Sequence, residues 1–135
     1  MIDKKVDLIF KEETYKLRGI LFDVHNKLSS VQKEEAYGNA LEVVFKKLAI
    51  PYAREKEIAL DFDGENIGRL YLDFIVWDQI GLELKAKKFL TQEDFRQSLR
   101  YLEALKLPLI LLVNFRSQKL IIKRIINAKY QSHQR

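Results

Sequence analysis

The sequence from residue 70 to residue 87 reads LYLDFIVWDQIGLELKAK and predicts two β-strands joined by a tight turn near Asp78 and Gln79. Side chains alternate between the two faces of a strand, so Glu83 and Lys85 share one face of the second strand. Charged side chains are costly to bury without partners. If the strands form a hairpin, Asp73 can join them on one patch, which suits a magnesium site with a lysine beside it.

A second interpretation of the same residues stays open. A glutamate and a lysine two positions apart on a strand also form an ordinary cross-strand ion pair on a solvated face. The motif is short, so by itself it does not distinguish a metal site from an ion pair. The rest of the chain has to support one interpretation or the other.

Composition limits the classes of protein to which the chain can belong. Its 135 residues predict one domain, spanning residues 1–135, and 47% hydrophobic residues are enough for a packed core. No apolar run reaches the length of a membrane span, so no membrane association is expected. The absence of cysteine excludes disulfides and thiolate metal sites. Because residues 1–10 are also too charged for a signal peptide, we expect a cytoplasmic protein.

The net charge of +5 is compatible with a polyanionic partner such as nucleic acid. The basic residues fall into local clusters, each of which is also explained as an ordinary solvated face. These clusters are Lys85, Lys87 and Lys88; Arg96 and Arg100; and Lys119, Lys123 and Arg124.

Apolar residues at helical spacing predict two N-terminal helices, over residues 12–28 and 32–48. His25 lies at the edge of the first apolar stripe, where a lone histidine is more often a hydrogen-bonded core residue than a ligand or a base. Glu34 heads the second stripe. It either stabilises the start of its helix through the helix dipole or points inward toward the acids of the two central strands.

A third helix is predicted over residues 91–106, with Thr91 as its N-cap. Gln97 and Tyr101 are four residues apart and therefore share a face, away from the centre of the apolar stripe. They either form hydrogen bonds at the helix edge or belong to a site. The apolar stripe consists of Phe95, Leu99, Leu102 and Leu105.

The remaining segments predict strands. Three strands joined by short turns make an antiparallel meander, and the long apolar run that follows the third helix suits a strand covered on both faces. A strand, a crossover helix and a buried strand imply a parallel pair between the strands of Lys85 and Leu111. The predicted fold is therefore α/β (α+β), a mixed sheet flanked by helices in the order ααβββαββ. The predicted strands are residues 55–62, 67–77, 80–87, 107–115 and 120–126, and residues 128–135 are expected to fray.

With these residues in this order, the chain resembles the PD-(D/E)XK nuclease superfamily, and within it the small GxxExxY family. The resemblance covers roughly residues 12–126 and implies a restriction-endonuclease-like core. The Gly-x-x-Glu-x-x-Tyr motif that gives the family its name falls on residues 31–37, where Val31 replaces the glycine. The matching residues are Val24 and His25, Glu34 and Tyr37, the acid Asp73, the Glu-x-Lys pair Glu83 and Lys85, the Gln-x-x-x-Tyr pair Gln97 and Tyr101, and Val113-Asn114-Phe115.

The resemblance implies a nuclease that hydrolyses phosphodiester bonds with Mg²⁺ or Mn²⁺, and DNA is the expected nucleic-acid partner. The ion would be held by Asp73, Glu83 and the carbonyl of Leu84. Glu34 would be a further ligand, either directly or through water. Hard oxygen donors of this kind suit magnesium.

The resemblance also implies roles for the remaining motif residues. Lys85 would orient or activate the attacking water and steady charge on the phosphate. Gln97 and Tyr101 would contact the nucleic-acid backbone or the carboxylates of the metal site.

Two other functions remain open for this sequence. The superfamily includes catalytically inactive members, so the chain can be a nuclease-fold module that binds nucleic acid without cutting it. It can also be a protein-interaction domain in which Asp73, Glu83 and Lys85 only form a buried ion-pair network. The oligomeric state is undetermined, and a homodimer is one option.

Overall fold

The computed structural model describes residues 10–129, in which three helices and five strands follow in the order ααβββαββ. The predicted fold class, a mixed sheet flanked by helices, is confirmed. Residues 1–9, where the charged N-terminal segment lies, and residues 130–135 of the predicted frayed end are outside the described part. The helices are α1 (Lys11–Leu28), α2 (Glu34–Lys47) and α3 (Gln92–Leu105), and the strands are β1 (Tyr52–Phe62), β2 (Glu65–Val76), β3 (Ile80–Lys85), β4 (Leu109–Asn114) and β5 (Ile121–Ile126).

The five strands form one sheet in sequence order, β1-β2-β3-β4-β5. Strands β3 and β4 are parallel, as predicted, with Leu82 opposite Leu111 and Lys85 opposite Asn114. The other three pairs are antiparallel. The parallel pair requires a crossover, and helix α3 provides it.

Strands β3 and β4 are the most deeply buried part of the chain. All six residues of β4 and five of the six in β3 are buried. Helices α1 and α2 cover one face of the sheet and helix α3 covers the other. On the α3 face a Cβ at Gly81 would lie 2.7 Å from Ile110, so only glycine permits this close strand packing.

The first helical layer contains His25, which is buried at the end of α1. Its Nε2 donates a hydrogen bond of 3.0 Å to the carbonyl of Ser117, and its ring lies near that of Phe115. This histidine is therefore held by the core. Across residues 10–129, none of the helices is long and apolar enough to cross a membrane.

The tight turn predicted near Asp78 and Gln79 is present, and it comprises residues 77–79 between the paired Val76 and Ile80. Trp77 and Asp78 both have positive φ angles, 54° and 57°, and the amide of Gln79 donates to the carbonyl of Val76 at 3.1 Å. Two successive positive φ angles match the right-handed twist of the flanking strands.

Strand β2 separates from β3 soon after this turn. It pairs with β1 along most of its length, but with β3 only at Phe74, Ile75 and Val76. The ladder between β2 and β3 therefore stops at the pair of Phe74 and Leu82, so Asp73, the residue before Phe74, is not paired with β3. We call this opening the fork, formed by Asp73 on one strand and Glu83 and Leu84 on the other.

The predicted buried stripe of α3 is wrong in its rotation about the helix axis. Leu99 is 52% exposed, whereas Asp94, Ser98, Tyr101 and Leu102 are buried. Asp94 turns inward because it completes a capping box with Thr91 and pairs with Lys87. Tyr101 consequently lies at the centre of the buried face instead of beside it.

Candidate functional site

The fork brings the two acids of the central strands together. Asp73 comes just before Phe74, and Glu83 just after Leu82, the outermost pair of the β2–β3 ladder. Their carboxyl groups are close enough to share a hydrogen bond. The Oδ2 of Asp73 also accepts a hydrogen bond of 2.7 Å from the amide of Leu84. The Asp73 side chain thus satisfies an amide that has lost its strand partner at the fork.

The charged form of Glu83 is disfavoured because its side chain is buried, with only 3% of the residue exposed. Burial, followed by the hydrogen bond to Asp73 and repulsion from it, raises the pKa of Glu83 to about 9. Lys85 and Tyr101 act in the opposite direction but do not cancel these effects. At neutral pH the pair therefore holds a proton, and a bound cation would relieve the same repulsion.

Glu34 belongs to a cleft of about 440 Å³ that begins at the fork. Glu34 is exposed as a whole residue, but its carboxyl group is partly buried. This burial, followed by repulsion from Asp73, raises the pKa of Glu34. The first turn of α2 thus contributes a third acid from across the cleft. The cleft is lined by Glu34, Glu35, Gly38, Arg54, Glu55, Asp73, Phe74 and Leu84.

The oxygen donors at the fork fit a hard divalent cation. Within residues 10–129, no three His, Asp or Glu side chains lie close enough together to hold a metal ion by themselves. Magnesium, however, is commonly bound through one or two carboxylates, with water and substrate phosphates completing its shell. Asp73, Glu83 and the carbonyl of Leu84 are oxygen donors of this kind, and the charge of Asp73 acts on Glu34 across the cleft.

Lys85 points to the same face as Glu83 and is held by helix α3. Its Nζ donates a hydrogen bond of 2.9 Å to Oε1 of Gln97 and lies 3.9 Å from Oδ1 of Asp94. The Lys85 side chain is 19% exposed. The structure therefore connects Gln97 to the lysine of the Glu-x-Lys pair.

Tyr101 connects the same helix to both strands of the fork. Its hydroxyl donates a hydrogen bond of 2.7 Å to the carbonyl of Tyr71 and lies within hydrogen-bonding reach of Glu83. Burial, and then the charge of Glu83, raise the pKa of Tyr101 far above its ordinary value. Tyr101 is thus a neutral donor that fixes β2 and borders the buried carboxyl.

Asp94 is a site residue that the sequence analysis missed. Its carboxylate is 2.9 Å from Nζ of Lys87 and accepts a hydrogen bond of 2.7 Å from the amide of Thr91. Burial alone would raise the pKa of Asp94, but the bonds from Lys87 and Thr91 outweigh it and lower the pKa. The sequence analysis identified Thr91 as the N-cap, but nothing local in the sequence indicated that Asp94 contacts the lysines.

Asn114, at the end of β4, fixes the chain just beyond Lys85. Its Nδ2 donates to the carbonyl of Lys87 at 2.9 Å, and its Oδ1 accepts from the amide of Lys87 at 3.1 Å. The side chain is fully buried. It therefore continues the β3–β4 ladder past the end of both strands.

The predicted cluster of Arg96 and Arg100 is paired with an acid in the structure, and so is Lys87 of the neighbouring cluster. Arg96 and Arg100 both form ion pairs with Glu93 on the exposed side of α3. Lys87 is paired with Asp94. The charge available to an external polyanion is therefore smaller than the sequence alone indicates.

Comparison with known proteins adds two matches. The sequence model of the PD-(D/E)XK nuclease superfamily matches residues 11–125, which is most of the chain. The crystal structure of SSO0001 has a similar fold, with a TM-score of 0.55 and 19% sequence identity. The similarity covers 69% of this chain and 49% of that protein, so this chain spans about half of its length. A search of curated proteins finds no match.

Proposed function

The chain belongs to the PD-(D/E)XK nuclease superfamily, and we propose that it is a single-domain, metal-dependent nuclease that hydrolyses phosphodiester bonds in DNA. The proposal includes membership of the GxxExxY family and a cytoplasmic location. One observation carries it: the buried Glu83 lies against Asp73, which lines an acidic cleft, and the charge of Lys85 acts on the same carboxyl.

Asp73, Glu83 and the carbonyl of Leu84 would hold Mg²⁺ or Mn²⁺, and Glu34 would assist across the cleft. When bound, such an ion polarises a phosphoryl oxygen and lowers the pKa of water. The two carboxylates would be ionised in that state, because the ion replaces the proton that the pair otherwise holds. This accounts for the burial of a glutamate that is destabilised when no cation balances its charge.

Lys85 supplies the positive charge on the same face as Glu83. An ammonium group has three donors, and the one engaged by Gln97 leaves two for an anionic oxygen. In the proposed reaction Lys85 orients the attacking water or stabilises the charge that develops on the phosphate. Gln97 and Tyr101 keep Lys85 and Glu83 in position, while the nucleic acid lies along the cleft.

The proposal is tested by calorimetric titration with Mg²⁺ and Mn²⁺ beside cleavage assays on linear, nicked and single-stranded DNA. The wild type should bind metal and cut at least one of these substrates, and Glu83→Gln should abolish cutting. The matched control is Glu57→Gln, which removes an acid of β1 that is half-exposed and paired with Arg69 outside the cleft. This control should cut like the wild type.

The same experiment separates the competing functions. A wild type that binds metal and DNA but cuts none of the substrates is a nuclease-fold binding module. A wild type that binds neither metal nor DNA is better explained as a protein-interaction domain, with the acids and Lys85 forming an ion-pair network. Either result contradicts the nuclease proposal.

A further inference from the structure

Arg54 of β1 lies in the cleft that begins at the fork, although no motif includes it. Its Nη1 donates hydrogen bonds of 2.8 Å to Oδ1 of Asn39 and 2.9 Å to Oε1 of Glu42, both on helix α2. Its guanidinium carbon lies 5.5 Å from the centre of the Phe74 ring. The side chain is 19% exposed and is held on three sides.

The partner of Arg54 is itself fixed. The hydroxyl of Tyr52 donates a hydrogen bond of 2.6 Å to Oε2 of Glu42, the oxygen that Arg54 does not use. These bonds, from Tyr52 first and then from Arg54, lower the pKa of Glu42 and keep it ionised. Glu42 is not among the residues that line the cleft, so it orients Arg54 from behind.

Gly38 provides the space that the guanidinium occupies. A Cβ at this position would lie 2.7 Å from Nη2 of Arg54 and 3.7 Å from the side chain of Leu84. Among residues 10–129, neither Nη2 nor Nε of Arg54 has a hydrogen-bond partner. These two nitrogens form one edge of the guanidinium, and their spacing matches that of two phosphate oxygens.

We propose that Arg54 is a substrate-binding residue whose Nε and Nη2 bind a backbone phosphate adjacent to the one that is cleaved. The inference rests on the proposed function, since it assigns a subsite in the same cleft. Of the eight described residues that line the cleft, four are acids and Arg54 is the one cation. A polyanion entering there meets repulsion from the acids, and Arg54 is already oriented to offset it without losing side-chain entropy.

The simpler explanation is that Arg54 only balances the charge of Glu42. Three variants separate the two roles. Arg54→Ala removes the charge and the donors. Arg54→Lys keeps the charge but lacks the paired Nε and Nη2 donors. Gly38→Ala keeps every charge and pushes the guanidinium away from its site, and alanine favours the helix in which Gly38 lies.

The matched control is Arg69→Ala. Arg69 lies on the same hairpin, but its side chain is 59% exposed and pairs with Glu57 away from the cleft. Each protein is titrated with a short DNA duplex in Ca²⁺ at several salt concentrations, and cleavage is then measured in Mg²⁺. Circular dichroism melting shows whether each variant is folded.

We expect Arg54→Ala to bind the duplex about 10-fold more weakly, with the slope of log affinity against log salt reduced by about one. Arg54→Lys should keep the slope and still lose affinity. Gly38→Ala should weaken binding several-fold with the net charge unchanged, and Arg69→Ala should bind within about twofold of the wild type. If Arg54→Ala fails to fold, Gly38→Ala and Arg54→Lys decide the question.

Two results would overturn the inference and leave the nuclease proposal intact: a wild type that cuts while the Arg54 and Gly38 variants bind DNA normally, or equal losses in Arg54→Ala and Arg69→Ala. A wild type that cuts nothing, but whose DNA binding depends on Arg54 and Gly38, supports the inference and contradicts the nuclease proposal. The two proposals therefore fail in different experiments.

Discussion

Nζ of Lys85 and Oε1 of Gln97 are joined by a 2.9 Å hydrogen bond between the edge of the fork and the helix that crosses over to β4. The bond shows that the Gln-x-x-x-Tyr pair acts on the strand motif itself. Gln97 holds Lys85, and one turn later Tyr101 borders Glu83. The two motifs are therefore parts of one structural unit.

Removing the Gln97 bond should slow the reaction without loosening the metal. In Gln97→Ala the ammonium of Lys85 is free to turn toward Asp94, which is already 3.9 Å away. We expect the single-turnover rate of DNA cleavage to fall about 10-fold, because small displacements of a reacting group are costly. Metal affinity by calorimetry should be unchanged. Gln92→Ala, in the exposed first turn of the same helix, is the control.

Glu83→Ala and Lys85→Ala should both abolish most of the activity, but for different reasons. Glu83→Ala removes a proposed ligand, so metal affinity and rate should fall together. Lys85→Ala leaves the ligands in place, so metal should still bind while the chemical step slows by about 10²-fold or more. Parallel metal titrations and rapid-quench kinetics measure both quantities. Normal metal affinity in Glu83→Ala would remove that residue from the metal site.

Without divalent metal, the protein should become less stable as the pH rises. The pKa of Glu83 is about 9 in the folded state and 4.5 in the reference state, so folding favours the protonated form. The resulting stabilisation is complete below about pH 4.5 and is lost progressively toward pH 9, an effect on the order of a few kcal/mol. Glu34 acts with the same sign because its pKa is also raised. Urea unfolding in EDTA between pH 5 and pH 9 measures this trend.

Two controls show whether Glu83 causes the trend. Glu83→Gln should flatten the dependence of unfolding free energy on pH, because the amide does not ionise. Mg²⁺ should reverse the trend in the wild type, because the ion binds the deprotonated pair. A wild-type profile that is already flat in EDTA would show that the pKa of Glu83 is not raised in solution.

Asn114→Ala should destabilise the fold through the backbone of Lys87. The substitution removes the partners of both the amide and the carbonyl of that residue. Leaving such groups unsatisfied typically costs about 1–3 kcal/mol. Asn66→Ala is the control, since its side chain accepts one hydrogen bond from Gly68 at the exposed start of β2. Its unfolding free energy should change by less than about 0.5 kcal/mol, and an equal loss in the two variants would contradict the role assigned to Asn114.

Glu93→Gln should strengthen the binding of DNA. Glu93 pairs with both Arg96 and Arg100 on the exposed side of α3, and the amide would release their charge. Each additional phosphate contact adds about 0.9 to the slope of log affinity against log salt. Asp23→Asn removes an acid of α1, on the opposite face of the sheet, and should not steepen the slope. Salt-dependent titration of a DNA duplex compares the two.

The fold could be predicted from the sequence because its signals are local. The apolar run that became β4 is buried on both faces, and a helix of crossover length precedes it. The turn near Asp78 and Gln79 was predicted from its position between two alternating segments, and the structure has it at residues 77–79. These patterns depend only on residues that are near one another in the chain.

The errors and omissions have a common physical origin, since each depends on a polar residue held by a distant partner. Leu99 was assigned to the core because the apolar spacing includes it, but the buried face of α3 instead contains Asp94, which pairs with Lys87. Arg54 was missed because its partners, Asn39 and Glu42, are on another element. Counting apolar residues carries no information about such contacts.

The burial of β3 links the proposed chemistry to the cooperativity of unfolding. Glu83 lies on a central strand with five buried residues, is paired with Leu112 of β4, and has helices on both faces of the sheet. Amides in such a strand exchange their hydrogens mainly through global opening of the molecule, whereas exposed hairpins and chain ends open locally. We therefore expect the backbone of Glu83 to open mainly when the whole molecule unfolds.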